Sequence, residues 1–146
     1  MVRVAVIPGD GIGPEVVKEA VQVLRTVAEC SGKRVETVEF DLGAQLQGGL
    51  GIAASANVNP NGPCMFEPVH GAAPRWAGHN VANPFATILS VQMMLDNLGW
   101  KSEAAVVEEA VRECVRTGAC TEDLRGKLGT KQAGEAVRQV IRRRAR

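Results

Sequence analysis

Apolar and polar positions along this chain follow two different periods, and the switches between them mark the elements. Residues 3–7, RVAVI, form a short apolar, β-branched run that predicts a strand of the buried, parallel kind. From Pro14 the spacing changes. Val16, Val17, Ala20, Val21, Leu24 and Val27 recur every three or four positions, which puts them on one helix face, and a proline suits a first helical position. Val35 to Phe40 alternates valine with glutamate and predicts a second strand. Strand, helix, strand in this order predicts a βαβ unit with parallel pairing and a right-handed crossover.

Beyond residue 40 the pattern weakens. Gly43, Gly48, Gly49 and Gly51 crowd one stretch, and Asn57 to Pro63 is turn chemistry. Met65 to Val69 is a short strand candidate interrupted by Pro68. Residues 70–83 read as a loop carrying His70, His79, Asn80 and Asn83, long for an idle connection. Helical spacing then returns three times. Asn83 and Pro84 cap a helix that runs to Leu98, with Ile88, Val91, Leu95 and Leu98 on one face and Gly99 after it. Ser102 caps a second through Arg116, ending at Gly118, and Thr130 caps a third that ends in IRRRAR. No internal repeat, heptad array or low-complexity linker interrupts the series. The pattern predicts an α/β fold, a small parallel-rich sheet of three to five strands flanked by helices.

At 146 residues the chain suits one domain, residues 1–146, with a core of useful size. The formal charge of +1 gives no reason to expect an acidic partner. No apolar run approaches the roughly 18 residues of a membrane helix, and the N-terminus lacks a secretory pattern, so the expectation is a cytoplasmic protein without membrane association. Cys30, Cys64, Cys114 and Cys120 show no CxxC spacing and read as free thiols. Arg138, Arg142, Arg143, Arg144 and Arg146 lack interleaved aromatics. They read as a solvated helix end complementing the dipole rather than a nucleic-acid patch.

The loop joining the first strand to the first helix, PGDGIGPEV, bears on the chemistry. A pyrophosphate cradle needs backbone N–H groups at a helix N-terminus and no negative charge nearby. Here the glycines are spaced GxGxG rather than GxGxxG, with Asp10 in the loop and Glu15 in the first turn. At ~4 to 6 Å and an effective dielectric of ~20, each carboxylate would cost a diphosphate about 3 to 4 kcal/mol before screening. Pro14 also removes a donor. The loop is therefore a poor pyrophosphate site, although its glycines allow a tight turn close to a ligand. A standard dinucleotide fold, with Glu39 or Asp41 on a ribose, and a tight turn without any ligand remain the alternatives.

Three long motifs, PGDGIGPEV (residues 8–16), FEPVHGAAPRWAG (66–78) and ANPFATILSVQMMLDNLGW (82–100), together resemble the β-decarboxylating dehydrogenases that act on 3-isopropylmalate, isocitrate, homoisocitrate or tartrate. Residues 1–43 resemble the family's N-terminus and residues 41–146 its C-terminal third. The segment between, with the whole second domain, is missing, so the chain looks like a first domain closed up by internal deletion, natural or engineered. The resemblance implies a place near the nicotinamide end for Ile12. It implies an adenosine pocket built from Gly51, His70, Gly71, Ala72, Ala73 and Asn83. Where NAD-using members carry aspartate, and NADP-using members of the isocitrate type carry lysine followed by tyrosine, this chain has Arg75 and Trp76. A guanidinium offers paired donors to a 2′-phosphate, so NADP is expected over NAD. The alternative is a surface arginine stacked on Trp76 with no ligand.

The resemblance also shows what is missing. The family protonates its enol intermediate with a tyrosine and a lysine, and this chain contains no tyrosine. No arginine cluster follows the second strand to hold substrate carboxylates. Of the aspartates that bind Mg²⁺ or Mn²⁺ only Asp41 has a match, with Thr37 at the position of a second ligand, so no metal site is expected and Asp41 suits a helix cap better. The implied function is weak binding of the adenosine part of NAD(P) without turnover. The alternatives are an oxidoreductase of 2-hydroxy acids completed by a partner chain, and a structural or folding unit with no ligand. Oligomeric state is left open.

Overall fold

The structure, a computed structural model, describes residues 2–9, 11–39 and 52–144. The predicted βαβ unit is present. β1 (Val2–Val6) leads through α1 (Gly13–Ser31) to β2 (Val35–Glu39), and the strands pair in parallel from Val2↔Val35 to Val6↔Glu39. Pro14 lies in the first turn of α1, where its missing N–H costs nothing. Gly32, at φ +64°, ends the helix in the left-handed conformation.

β1 departs from the expected burial on both faces. Val4 packs against the core, whereas Arg3 and Ala5 are exposed and the following Ile7 is 49% exposed. With only β2 beside it among the described residues, helices cover one face of this sheet, and the other carries the cross-strand pair Arg3–Glu36 at 3.2 Å. Two further strands, β3 (Ala54–Asn57) and β4 (Met65–Pro68), pair antiparallel, with Ala54 opposite Pro68 and Asn57 opposite Met65. Among the described residues the strands thus form two separate ladders, one parallel and one antiparallel, rather than a single sheet. β3 was not foreseen, because ASAN lacks the β-branched and aromatic residues that mark strands.

The core is mostly helical. α2 (Phe85–Asn97) is apolar on several sides and packs against α1, α3 (Lys101–Arg116) and the β3–β4 ladder. α4 (Thr130–Arg144) closes over α1 and α3. Phe85, Ile88, Leu95, Leu24, Val23, Val107, Val137 and Ile141 are essentially removed from solvent. Burial of side chains of this size contributes about 1.5–3 kcal/mol each. Among the described residues no helix is long and apolar enough to cross a membrane.

The expected caps at Ser102 and Thr130 need correction. α3 starts at Lys101 after Trp100, and the Ser102 hydroxyl donates sideways to Glu103 Oε2 at 2.8 Å. Lys33 lies 4.7 Å over the Trp100 ring and pairs with Glu103, so a side chain from the turn between α1 and β2 fixes this end. Thr130 is the first residue of α4, and its hydroxyl donates to Ala82 O at 2.7 Å.

The arginine-rich end is not uniformly solvated. Arg138 is 7% exposed and donates to Glu19 Oε2 and Glu135 Oε2, each at 2.7 Å. Gly134 makes room for this pair, since a Cβ there would sit 2.2 Å from Glu19 Oε2. Arg142 reaches Glu135 at 3.5 Å, while Arg143 and Arg144 both bind Glu113. Arg146 lies outside the described residues. All four cysteines are free. Cys114 and Cys120 are buried, and burial pushes the Cys114 thiol up to about 11.

Arg138→Met should destabilise the protein by about 3–5 kcal/mol in urea unfolding, because it strands the Glu19 charge in the interior. The double change with Glu19→Gln should recover most of that loss; a double variant as unstable as the single would refute the pairing. Acid should act through the lowered carboxyls. Hydrogen bonds from Arg143 and Arg144 hold Glu113 below its ordinary range, and one from Lys33 does the same for Glu103. Groups with depressed folded values contribute stability above their unfolded value, about 4.3, and lose it as pH falls through the folded one. Glu113→Gln should therefore lower stability at neutral pH and converge with the parent near the acid end of a pH series.

Candidate functional site

Two loops meet at the C-terminal end of β1. The Ile12 N–H donates to Ala72 O at 2.7 Å, which fastens the opening loop to the HGAAP segment. Ile12, Val16 and Ala82 form a small buried cluster, with Val17 packed against it, so the start of α1 also holds the far end of the 70–83 loop. Gly11 is required at this contact. Its φ is +64°, and a Cβ there would lie 2.0 Å from Ala72 O.

The loop itself carries strain. Ala73 has φ +38°, sparsely populated for an alanine, and a single 3-10 turn, Pro74–Trp76, follows it. That turn presents the Arg75 guanidinium 5.4 Å from the centre of the Trp76 ring. Trp76 is 47% exposed, and the His79 ring meets it edge-on at 6.4 Å. His70 is turned inward. Its Nδ1 lies 3.3 Å from Gly71 O, and its Nε2 is buried without a partner. Asn83 is 8% exposed and committed on both sides: Oδ1 accepts from the Phe85 N–H at 2.9 Å and Nδ2 donates to Asp123 at 2.8 Å. Ile12, His70, Gly71, Ala72, Ala73, Arg75, Trp76 and Asn83 thus share one loop assembly, whereas Gly51 lies outside the described residues, as do Asp10 and Asp41.

Glu15 stands in the first turn of α1. Its Oε1 accepts the Asn80 N–H at 3.3 Å, and its Oε2 is buried with no partner. A carboxylate there opposes a pyrophosphate for the reason given from sequence. Two cavities, of about 140 and 370 Å³, lie among the helices, and none of the residues lining them comes from the 70–83 loop. Among the described residues no group of three or more His, Cys, Asp or Glu side chains could hold a metal ion. Thr37, the match for a second metal ligand, instead accepts from the Arg25 guanidinium at 3.3 Å, and that positive charge opposes a divalent cation.

Sequence reasoning missed Asn80 and Gly129. Asn80 has φ +57° and bonds to residues of both α1 and α4, and Gly129 stands against it. An asparagine in a long loop was the available signal, but nothing local pairs it with residue 129.

A family model described as isocitrate/isopropylmalate dehydrogenase matches residues 3–47 and 38–137. The chain belongs to this family. It is similar to the 3-isopropylmalate dehydrogenase of Thermobifida fusca, 48% identical over 103 residues, which are 69% of this chain and 28% of that protein. It is 43% identical over 104 residues to the homoisocitrate dehydrogenase of Methanocaldococcus jannaschii, covering 71% of this chain and 30% of that one. The chain therefore spans under a third of the length of these curated relatives. Among solved structures it resembles isocitrate dehydrogenase from Methylococcus capsulatus, with a TM-score of 0.61 and 33% identity over 90% of this chain and 44% of that chain. A β-decarboxylating dehydrogenase from Thermococcus kodakarensis shares the fold, with a TM-score of 0.72 at 18% identity over 98% of this chain and 97% of that chain.

The loop contact of this isocitrate/isopropylmalate dehydrogenase family member can be tested on stability. Gly11→Ala and Gly32→Ala both place an alanine at φ +64°, but only position 11 has a neighbour in the way. Gly32→Ala should cost about 1–2 kcal/mol in urea unfolding and Gly11→Ala clearly more. Equal losses would show that the Ala72 contact yields freely.

Proposed function

We propose that this chain is the cofactor-side portion of a β-decarboxylating dehydrogenase, that it retains a weak binding loop for the adenosine end of NAD(P), and that it does not turn over a hydroxy acid alone. The observation that carries this reading is the docking of the opening loop on the HGAAP segment through Ile12 and Ala72, beside a His70 Nε2 that is buried and unpartnered. An unsatisfied buried imidazole nitrogen costs about 1–3 kcal/mol, and a ligand hydrogen bond would relieve that cost. In this reading His70, Gly71, Ala72 and Ala73 line the adenine side, and Asn83 holds the loop to α2 and Asp123 while keeping one free N–H. Ile12 lies toward the nicotinamide, and Gly51 completes the pocket.

Arg75 gives the preference for NADP. It is half of an exposed pair with Trp76, so its guanidinium remains free to meet a 2′-phosphate while the indole offers a stacking face. The chain joins segments resembling the N-terminus and the C-terminal third of the family into a single domain. The two overlapping matches of the family model support that reading. The absence of tyrosine leaves the family's proton donor unfilled, and the Arg25–Thr37 contact disfavours the divalent cation. A second reading, completion by a partner chain, is supported by the short span relative to the curated relatives.

Titration followed by tryptophan fluorescence should show 2′-phospho-ADP-ribose binding more tightly than ADP-ribose. Arg75→Asp should reverse the order by about tenfold, the value of one charge-assisted pair. Tighter binding of ADP-ribose by the parent would sink the NADP preference, and no binding of either would sink the reading itself. Incubation with NADP⁺, Mn²⁺ and isocitrate or 3-isopropylmalate should yield no reduced cofactor; steady reduction would overturn the claim of inactivity.

A further inference from the structure

α4 begins without a cap of its own. The preceding residue is Gly129, whose carbonyl accepts the first helical bond from the Ala133 N–H at 2.9 Å but which has no side chain to offer the free N–H groups. Two of those donors are met by Asn80. The Thr130 N–H donates to Asn80 O at 3.1 Å, the Lys131 N–H donates to Asn80 Oδ1 at 3.0 Å, and Asn80 Nδ2 donates to Gln132 Oε1 at 3.2 Å. The Asn80 N–H goes the other way, to Glu15 on α1. Each polar group of this residue has a partner, none of them within its own loop. The left-handed backbone at φ +57° that permits this suits asparagine better than most residues.

Gly129 is the counterpart. A Cβ there would stand 2.2 Å from Asn80 Nδ2 and 2.6 Å from Asn80 O. A glycine is otherwise a middling choice before a helix, where serine or aspartate would cap it directly. The side chain has been given up to admit Asn80.

We infer that Asn80 is a positioning residue for the nucleotide loop: it sets the segment bearing Arg75, Trp76 and His79 in register with α1 and the first turn of α4, so that the binding competence of the loop depends on the Asn80 bonds to that turn. This rests on the nucleotide-binding reading above. A merely structural cap would change the population of folded protein and leave the folded loop as it was.

Four variants separate the two roles. Asn80→Gly keeps access to the left-handed backbone and removes the side-chain bonds. Gly129→Ser supplies a good cap residue but collides with Asn80. Asn80→Asp keeps the acceptor for Lys131, and the Gln132 amide can turn to donate to it. Ile141→Val loosens the far end of α4 without touching the loop. Native-state hydrogen exchange at the Ile12 amide, which is bound to Ala72 O, reads the loop register directly. Relative to the exchange of the core amide of Val23, Asn80→Gly and Gly129→Ser should accelerate Ile12 by about tenfold, with Asn80→Asp and Ile141→Val near the parent. Affinity for 2′-phospho-ADP-ribose should fall by about five- to twentyfold in the first two variants and be restored in Asn80→Asp. Exchange at Ile12 that only tracks Val23 in all four variants, or Ile141→Val weakening affinity as much as Asn80→Gly, would overturn the proposal. Should the parent bind no nucleotide, the functional reading fails by itself and the exchange comparison still decides the role of Asn80.

Discussion

The burial of α2 is the constraint on which the other elements depend. FATILSVQMMLDN carries apolar side chains on several sides, and no single neighbour could cover them. α1, α3 and the β3–β4 ladder each take part of that surface, and α4 then seals α1 against α3. A two-stranded ladder cannot form a core by itself, since it lacks enough area on either face. The helices therefore supply what a wide sheet supplies in larger α/β proteins, and the two ladders are attached to them.

That arrangement explains which features were legible. β1, α1 and β2 declared themselves through their periods, and the three later helices through apolar runs, two of them ended by Gly99 and Gly118. What failed were choices made by neighbours distant in sequence. Ser102 carries the chemistry of a cap but sits one residue inside a helix whose end is fixed by Lys33 and Trp100. Arg138 looks like part of a basic end until Glu19, 119 positions earlier, is brought beside it. β3 was invisible because small residues suit a surface pressed against α2 but carry no strand signature. For the candidate site, most of the residues that the motifs pointed to are gathered in one loop assembly. The motifs could not indicate that Asn83 is engaged on both sides, or that Asn80 spans to residues 51 positions away.

Electrostatics also bears on the opening loop. A glycine-rich turn invites a phosphate-binding reading, but Glu15 argues against it from sequence, and the geometry gives that carboxylate other work, accepting the Asn80 N–H. One acidic residue thus both repels a diphosphate and anchors the neighbouring loop.

The packing of α1 on α4 has a consequence for how the chain comes into being. On the ribosome, residues 13–31 emerge long before residues 130–144, so Glu19 must wait without Arg138 while more than a hundred residues are added. A nascent chain halted before α4 would present the open side of α1, with that unpaired carboxylate, to chaperones and proteases.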